Sequence, residues 1–216
     1  MSKKRLEEGD IFYIREKGKY FFGKILLDVN ERILKQEPKN ALWTFSGCYM
    51  VSVYRGIYDE LKLTTNELVI PSAFITKKYF YSKKHKIEWS YYKHEPIEYK
   101  ELEFPESLIN GEGMITYFTK GELKLKTDLT YQQFDKEYCI LKTNHRSYYS
   151  LIDIACHYQN REDLMDIKRA FYLERSDLRF APEKRKEVYK QIGEDINQSY
   201  YEMALKHGLD FGRFYK

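Results

Sequence analysis

Residues 9–26 constrain the fold more than any other stretch. Gly9, Asp10, Ile11, Phe12, Tyr13 and Ile14 lead into Lys17-Gly18-Lys19, and Tyr20, Phe21, Phe22, Gly23, Lys24, Ile25 and Leu26 follow. Eight of these thirteen positions outside the turn are β-branched or aromatic, the residue types that fit a pleated, half-buried surface. Two such runs around one glycine predict a β-hairpin.

The same reading extends through the first two thirds of the chain. Residues 43–54, from Trp43 to Tyr54, predict a long strand in which Gly47 marks a bulge. Leu68, Val69 and Ile70 predict a short strand stopped by Pro71, and residues 87–92 and 97–104 predict two more. The stretch 28–42 is polar, contains Pro38 and Asn40, and predicts a loop. Asn110-Gly111 is the dipeptide of a tight hairpin turn. Lys120-Gly121 then precedes Glu122, Lys124 and Lys126 alternating with Leu123, Leu125 and Thr127, a strand with one wet and one dry face.

The pattern changes to helical near Ser147. Leu151, Ile154, Ala155 and Tyr158 make one stripe, and Leu164, Ile167, Ala170 and Phe171 a second, behind a weak capping signal at Asn160 and Asp163. Ala181-Pro182 opens a third helix lined by Val188, Ile192, Ile196, Tyr200 and Met203, with Gly208 suited to its stop. Gly193 inside it costs about 1 kcal/mol relative to alanine. Strands first and helices after predict an α+β protein. The expected organisation is an antiparallel β-rich, barrel-like unit over residues 1–146. About three helices over residues 147–216 would pack on it.

Composition narrows the functional classes. The chain has 216 residues with 21 Tyr, 13 Phe and 2 Trp. Tyr pairs an apolar body with a polar tip, which suits a β core and also suits a binding face. Cys48, Cys139 and Cys156 are odd in number and widely spaced, which predicts neither a disulfide framework nor a zinc knuckle and favours a reducing compartment. The basic-then-acidic start has no apolar run behind it, and no stretch reaches the roughly 18 apolar residues of a membrane span, so a cytoplasmic location without a membrane partner is expected. Net charge is +4, with the surplus in residues 1–146.

No catalytic constellation stands out. His85, His94, His145, His157 and His207 have no metal-ligand spacing. Asp153 and His157 fit an ordinary helix-surface pair, His94-Glu95 points its side chains apart, and Asp10 after Gly9 fits a turn. Gly111-Glu112-Gly113 lacks a third glycine, and neither a P-loop nor a Gly-x-Ser-x-Gly elbow occurs. The expectation is a non-enzymatic binding protein with no catalytic residue, metal or cofactor. Trp89, Tyr91, Tyr92 and Tyr81 are its candidate aromatic anchors. Lys77, Lys78, Lys83, Lys84 and Lys86, interleaved with Tyr79, Phe80 and Tyr81, form a basic cluster that suits stacked bases and phosphates. Lysine without arginine equally suits a solvated strand edge.

Residues 9–25 carry Gly9-Asp10-x-Phe12-x-Ile14 and Gly18-Lys19-Tyr20-x-Phe22-Gly23-Lys24-Ile25, followed by Leu68-Val69-Ile70-Pro71-Ser72-x-Phe74-Ile75 and by Trp89 with Pro96-Ile97. In these motifs the first hundred residues resemble the bacterial immunity protein 26 family of polymorphic toxin systems. Arg15 departs from the proline common there, and the helical tail lies outside the pattern. The resemblance implies a protector that binds a cognate toxin and blocks it. A nucleic-acid-associated protein using the lysine cluster is the alternative.

Overall fold

The computed structural model describes residues 4–81, 88–138, 145–146, 148–165 and 173–216. Within these the chain forms two compact units, each built from separated segments. The first takes residues 1–38, 43–97 and 145–171, and the second 39–42, 98–144 and 172–216. The units therefore do not divide at 146/147. Residues 98–138 join the late helices in one core, and the first late helix joins the early strands in the other.

In the first unit the hairpin forms as expected. β1 (Asp10–Glu16) and β2 (Lys19–Asp28) pair antiparallel from Glu16↔Lys19 to Ile11↔Lys24. Lys17 and Gly18 both take positive φ, 48° and 75°, the two-residue turn that matches strand twist. β3 (Cys48–Tyr54) is buried at every position, as a central strand covered on both faces must be. β4 (Leu68–Thr76) runs through Pro71 instead of stopping there. The β3–β4 register slips between Val51↔Ala73 and Val53↔Ile70, so Pro71 sits at an irregularity where its missing N–H breaks no regular ladder. A one-turn helix, α1 (Lys78–Tyr81), follows. β5 (Glu88–His94) returns to pair with β1.

The strand order is β5-β1-β2-β3-β4-β9, where β9 is the two-residue His145–Arg146, parallel to β4. The sheet stays open and the expected barrel does not close. β9 takes the β4 edge that closure onto β5 would need. α3 (Tyr148–His157) lays Leu151, Ile152 and Ala155 against Phe12, Ile14, Phe21 and Val53 of the sheet, leaving a gap of only about 10 Å³.

The second unit holds a three-stranded antiparallel sheet, β6 (Glu106–Asn110), β7 (Thr116–Lys120) and β8 (Leu123–Lys126). Asn110 pairs with Thr116, so residues 111–115 make a wider loop than the tight turn expected at Asn110-Gly111. Gly121 takes φ 59° in the two-residue β7–β8 turn, as its sequence context predicts. Residues 97–104 hold one 3-10 turn, Tyr99–Glu101, and no strand. A short helix, α2 (Tyr131–Gln133), carries a Thr130–Gln133 capping box. The long helix expected from Pro182 breaks in two. Gly193 takes φ 70° and caps α4 (Pro182–Ile192), and Ser199 starts α5 (Tyr200–Lys206) with its own capping box to Glu202. Of the expected second helix, Glu162–Leu164 forms a 3-10 turn and residues 166–172 lie outside those described.

Among the described residues 15 aromatic side chains are buried in the core. Tyr49, Tyr189 and Tyr200 are fully buried, and each hydroxyl is satisfied, through Leu6 O, Glu106 and the Glu122 N–H respectively. Cys48 and Cys156 are free and buried, and burial pushes the Cys156 thiol up to about 11. No helix among the described residues is long and apolar enough to cross a membrane.

Candidate functional site

The expected anchors separate once the sheet is built. Trp89 lies opposite Ile14 and is 4% exposed, its indole N–H donating to Phe80 O at 2.6 Å and its ring edge-on to Phe80. It is a core residue and not a surface anchor, because its position in β5 points it to the covered face. Tyr92 is half-buried, 5.0 Å from the Phe22 ring. Tyr91 and Tyr81 remain exposed. Lys77 turns inward to an ion pair with Asp28, its side chain 15% exposed, whereas Lys78 stays exposed over Tyr79. Lys83, Lys84 and Lys86 lie outside the described residues.

Residues 4–8 run between these groups and tie them together. Leu6 is buried, its N–H donating to the Tyr81 hydroxyl at 2.9 Å and its carbonyl accepting from the Tyr49 hydroxyl at 2.9 Å. The Tyr49 and Tyr81 hydroxyls also meet at 3.0 Å. Tyr81→Phe removes this tether while keeping the ring, and a loss of about 1 kcal/mol in urea unfolding is expected; an unchanged midpoint would show that water replaces the hydroxyl. Lys4 sits 3.8 Å from the centre of the Tyr91 ring and pairs with Asp10 at 3.0 Å. Arg5 reaches Glu31 at 3.0 Å and Asp28 at 3.7 Å. Glu8 accepts from Arg32 at 2.8 and 3.0 Å and from the Asp28 N–H.

Together Arg5, Glu7, Glu8, Asp28, Glu31 and Arg32 line an open, polar cleft of about 430 Å³. Its floor is a π-helical turn, Val29–Leu34, started by Asp28, whose carboxylate accepts from the Glu31 N–H. Asn30 within that turn accepts from the Gly47 N–H at 2.5 Å and donates to Ser46 at 3.4 Å. Those bonds fasten the 3-10 turn Ala41–Phe45, on which Trp43 stands 61% exposed. The strand expected over 43–54 hid this residue, because Gly47 takes φ 77° and the strand begins only at Cys48. Asn40, which accepts from the Leu42 N–H, was the available turn signal. Phe45 stacks on Phe74 at 3.7 Å, so the turn bearing Trp43 is held by packing as well as by Asn30.

Charge is divided unevenly. The first unit holds 21 basic and 16 acidic residues, the second 16 and 17. At the cleft rim Arg5 and Glu31 are exposed, and water screens a pair of that kind, so it can re-pair with an incoming group at little cost. Asp10 is buried, at 1% exposed. Burial opposes its ionisation, yet Lys4, His94 at 3.0 Å and the Glu7 N–H outweigh burial and hold the carboxyl below its usual range. Its bond to Glu7 N–H is the local turn that the sequence predicts. His157 lies 3.7 Å from Glu162 and His207 2.9 Å from Glu194. Glu95, beside His94, pairs with Lys93 and Lys24. Among the described residues no three His, Cys, Asp or Glu side chains group as a metal site would.

No family model matches this chain, and no curated protein or solved structure matches it either.

Proposed function

We propose that this is a binding protein whose first unit docks on another protein through the polar cleft and the exposed Trp43, and that it acts as an immunity protein neutralising a cognate bacterial toxin. The observation that carries the binding reading is Trp43, a large side chain held exposed on a turn fastened both by Asn30 and by the stacking of Phe45 on Phe74. Pre-ordered aromatic anchors next to polar rims dominate protein interfaces, because they bury area without paying to become ordered. The immunity reading rests on the family resemblance of residues 9–97, whose matching positions fall largely in β1, β2, β4 and β5 of the first unit. The nucleic-acid alternative has less to draw on, since Lys77 is already paired with Asp28.

The test is protection. Where a gene for a secreted toxin lies beside this one, co-expression with that toxin is expected to rescue growth. Trp43→Ala is expected to weaken the complex by about 2 kcal/mol or more, roughly thirtyfold, in a titration of the purified pair. An undiminished affinity in the folded variant would remove Trp43 as anchor, and failure to rescue would remove the toxin reading. Binding of single-stranded DNA that falls about a thousandfold between 50 and 200 mM salt would favour the alternative.

A further inference from the structure

β5 offers a second surface, independent of Trp43 and the cleft. It is an edge of the sheet, paired on its β1 side alone among the described residues. Its register has one irregularity. Arg15 faces Glu88, Tyr13 faces Ser90 and Phe12 faces Tyr91, but Ile11 faces Lys93, so Tyr92 is an extra residue. Arg15, Tyr13 and Ile11 lie on one face of β1 because side chains alternate with period two. Their partners Glu88, Ser90 and Lys93 therefore share a face too. In an unbulged strand Glu88 and Lys93, five residues apart, would point to opposite faces.

We propose that two copies of this chain associate by pairing their β5 edges antiparallel about a two-fold axis at Ser90. Counting outward from that axis along the bulged strand, Glu88 of each copy falls opposite Lys93 of the other, twice, on one face. Trp89 falls opposite Tyr91 on the other face. The strand is thus complementary in charge to its own inverted copy, and the bulge creates that complementarity. Both side chains are available. Glu88 is 60% exposed and shares Arg15 at 3.3 Å, and Lys93 is 47% exposed and shares Glu95 at 2.7 Å, contacts that exposed pairs exchange readily. An edge that invites pairing is normally blunted by charge. Here the charges alternate in the order that matches a second copy. The paired stretch is short, so the contact falls below a standard stable interface and the association is weak.

The experiment is sedimentation velocity of the full chain from about 10 to 500 µM, the range in which a small interface shows. The expected result is a sedimentation coefficient that rises with concentration towards a dimer. Lys93→Glu or Glu88→Lys alone places like charges opposite and is expected to weaken dimerisation by at least about tenfold, and the double variant is expected to restore it. Ser90→Cys is expected to give an oxidised, disulfide-linked dimer above the level of the parent chain, since the two residues meet on the axis. A chain that stays monomeric throughout, a dimer indifferent to Lys93→Glu, or a double variant that does not recover would each overturn the proposal.

Discussion

Arg185→Ala is expected to lower stability in urea unfolding by about 3–5 kcal/mol, because it takes from a buried carboxylate the partner that binds both its oxygens. Glu106 in β6 is 0% exposed. Its carboxylate accepts from Arg185 at 2.6 and 2.8 Å and from the Tyr189 hydroxyl at 2.8 Å, and Lys120, itself 1% exposed, lies at 3.3 Å and bridges to Glu103 at 2.7 Å. Burial alone would force this carboxyl to hold its proton. Arg185, Lys120 and Tyr189 more than offset it, and Glu106 ionises below the usual carboxylate range. A depressed folded value means the stabilisation is present above the unfolded glutamate value of about 4.3 and is lost as pH falls through the folded value. Without Arg185 the folded value rises, so the loss on acidification begins at higher pH. Glu106→Gln added to Arg185→Ala is expected to recover part of the stability by removing a buried charge that has lost its main partner. A wild-type midpoint in Arg185→Ala, or no recovery in the double variant, would show that the network contributes little.

That network also shows where sequence reading ends. The hairpin was legible because period, β-branching and a Lys17-Gly18 turn all agree over contiguous residues. The dry face of β8, the start of α4 at Pro182 and its weak point at Gly193 were legible for the same reason, each being a local preference. Glu106 meeting Arg185 joins positions 79 residues apart, and no local pattern announces it. Unit membership failed likewise. α3 carries an ordinary helical stripe, and only the long-range packing of Leu151 and Ala155 on Phe12 and Phe21 assigns it to the first sheet. The two tryptophans make the point for the candidate site. Trp89 in a β-rich run and Trp43 in a β-rich run read alike, yet strand parity buries one and a positive-φ glycine four residues downstream lifts the other out of the sheet.

The first unit has its own point of greatest sensitivity, where Phe12 lies across Gly23. Phe12 is 1% exposed and edge-on to Phe80 at 5.2 Å. It pairs in register with Gly23, and a Cβ built there would stand 2.6 Å from the end of the Phe12 ring and 2.9 Å from Ser52 O. The glycine gives the ring its seat on the sheet. Phe12→Ala is expected to cost about 3–5 kcal/mol, since it empties a site between sheet and helix that rigid neighbours on both sides keep from collapsing. Gly23→Ala is expected to cost about 1–3 kcal/mol by forcing the ring off its position. The two losses should not add. With Phe12 shortened, the methyl at 23 has only the Ser52 carbonyl to avoid, so Gly23→Ala in the Phe12→Ala background should cost about 0.5–2 kcal/mol less than alone, a coupling typical of residues in contact. A double-mutant cycle by urea unfolding measures this directly. Strict additivity would mean that the Ser52 carbonyl, and not the ring, demands a glycine at that position.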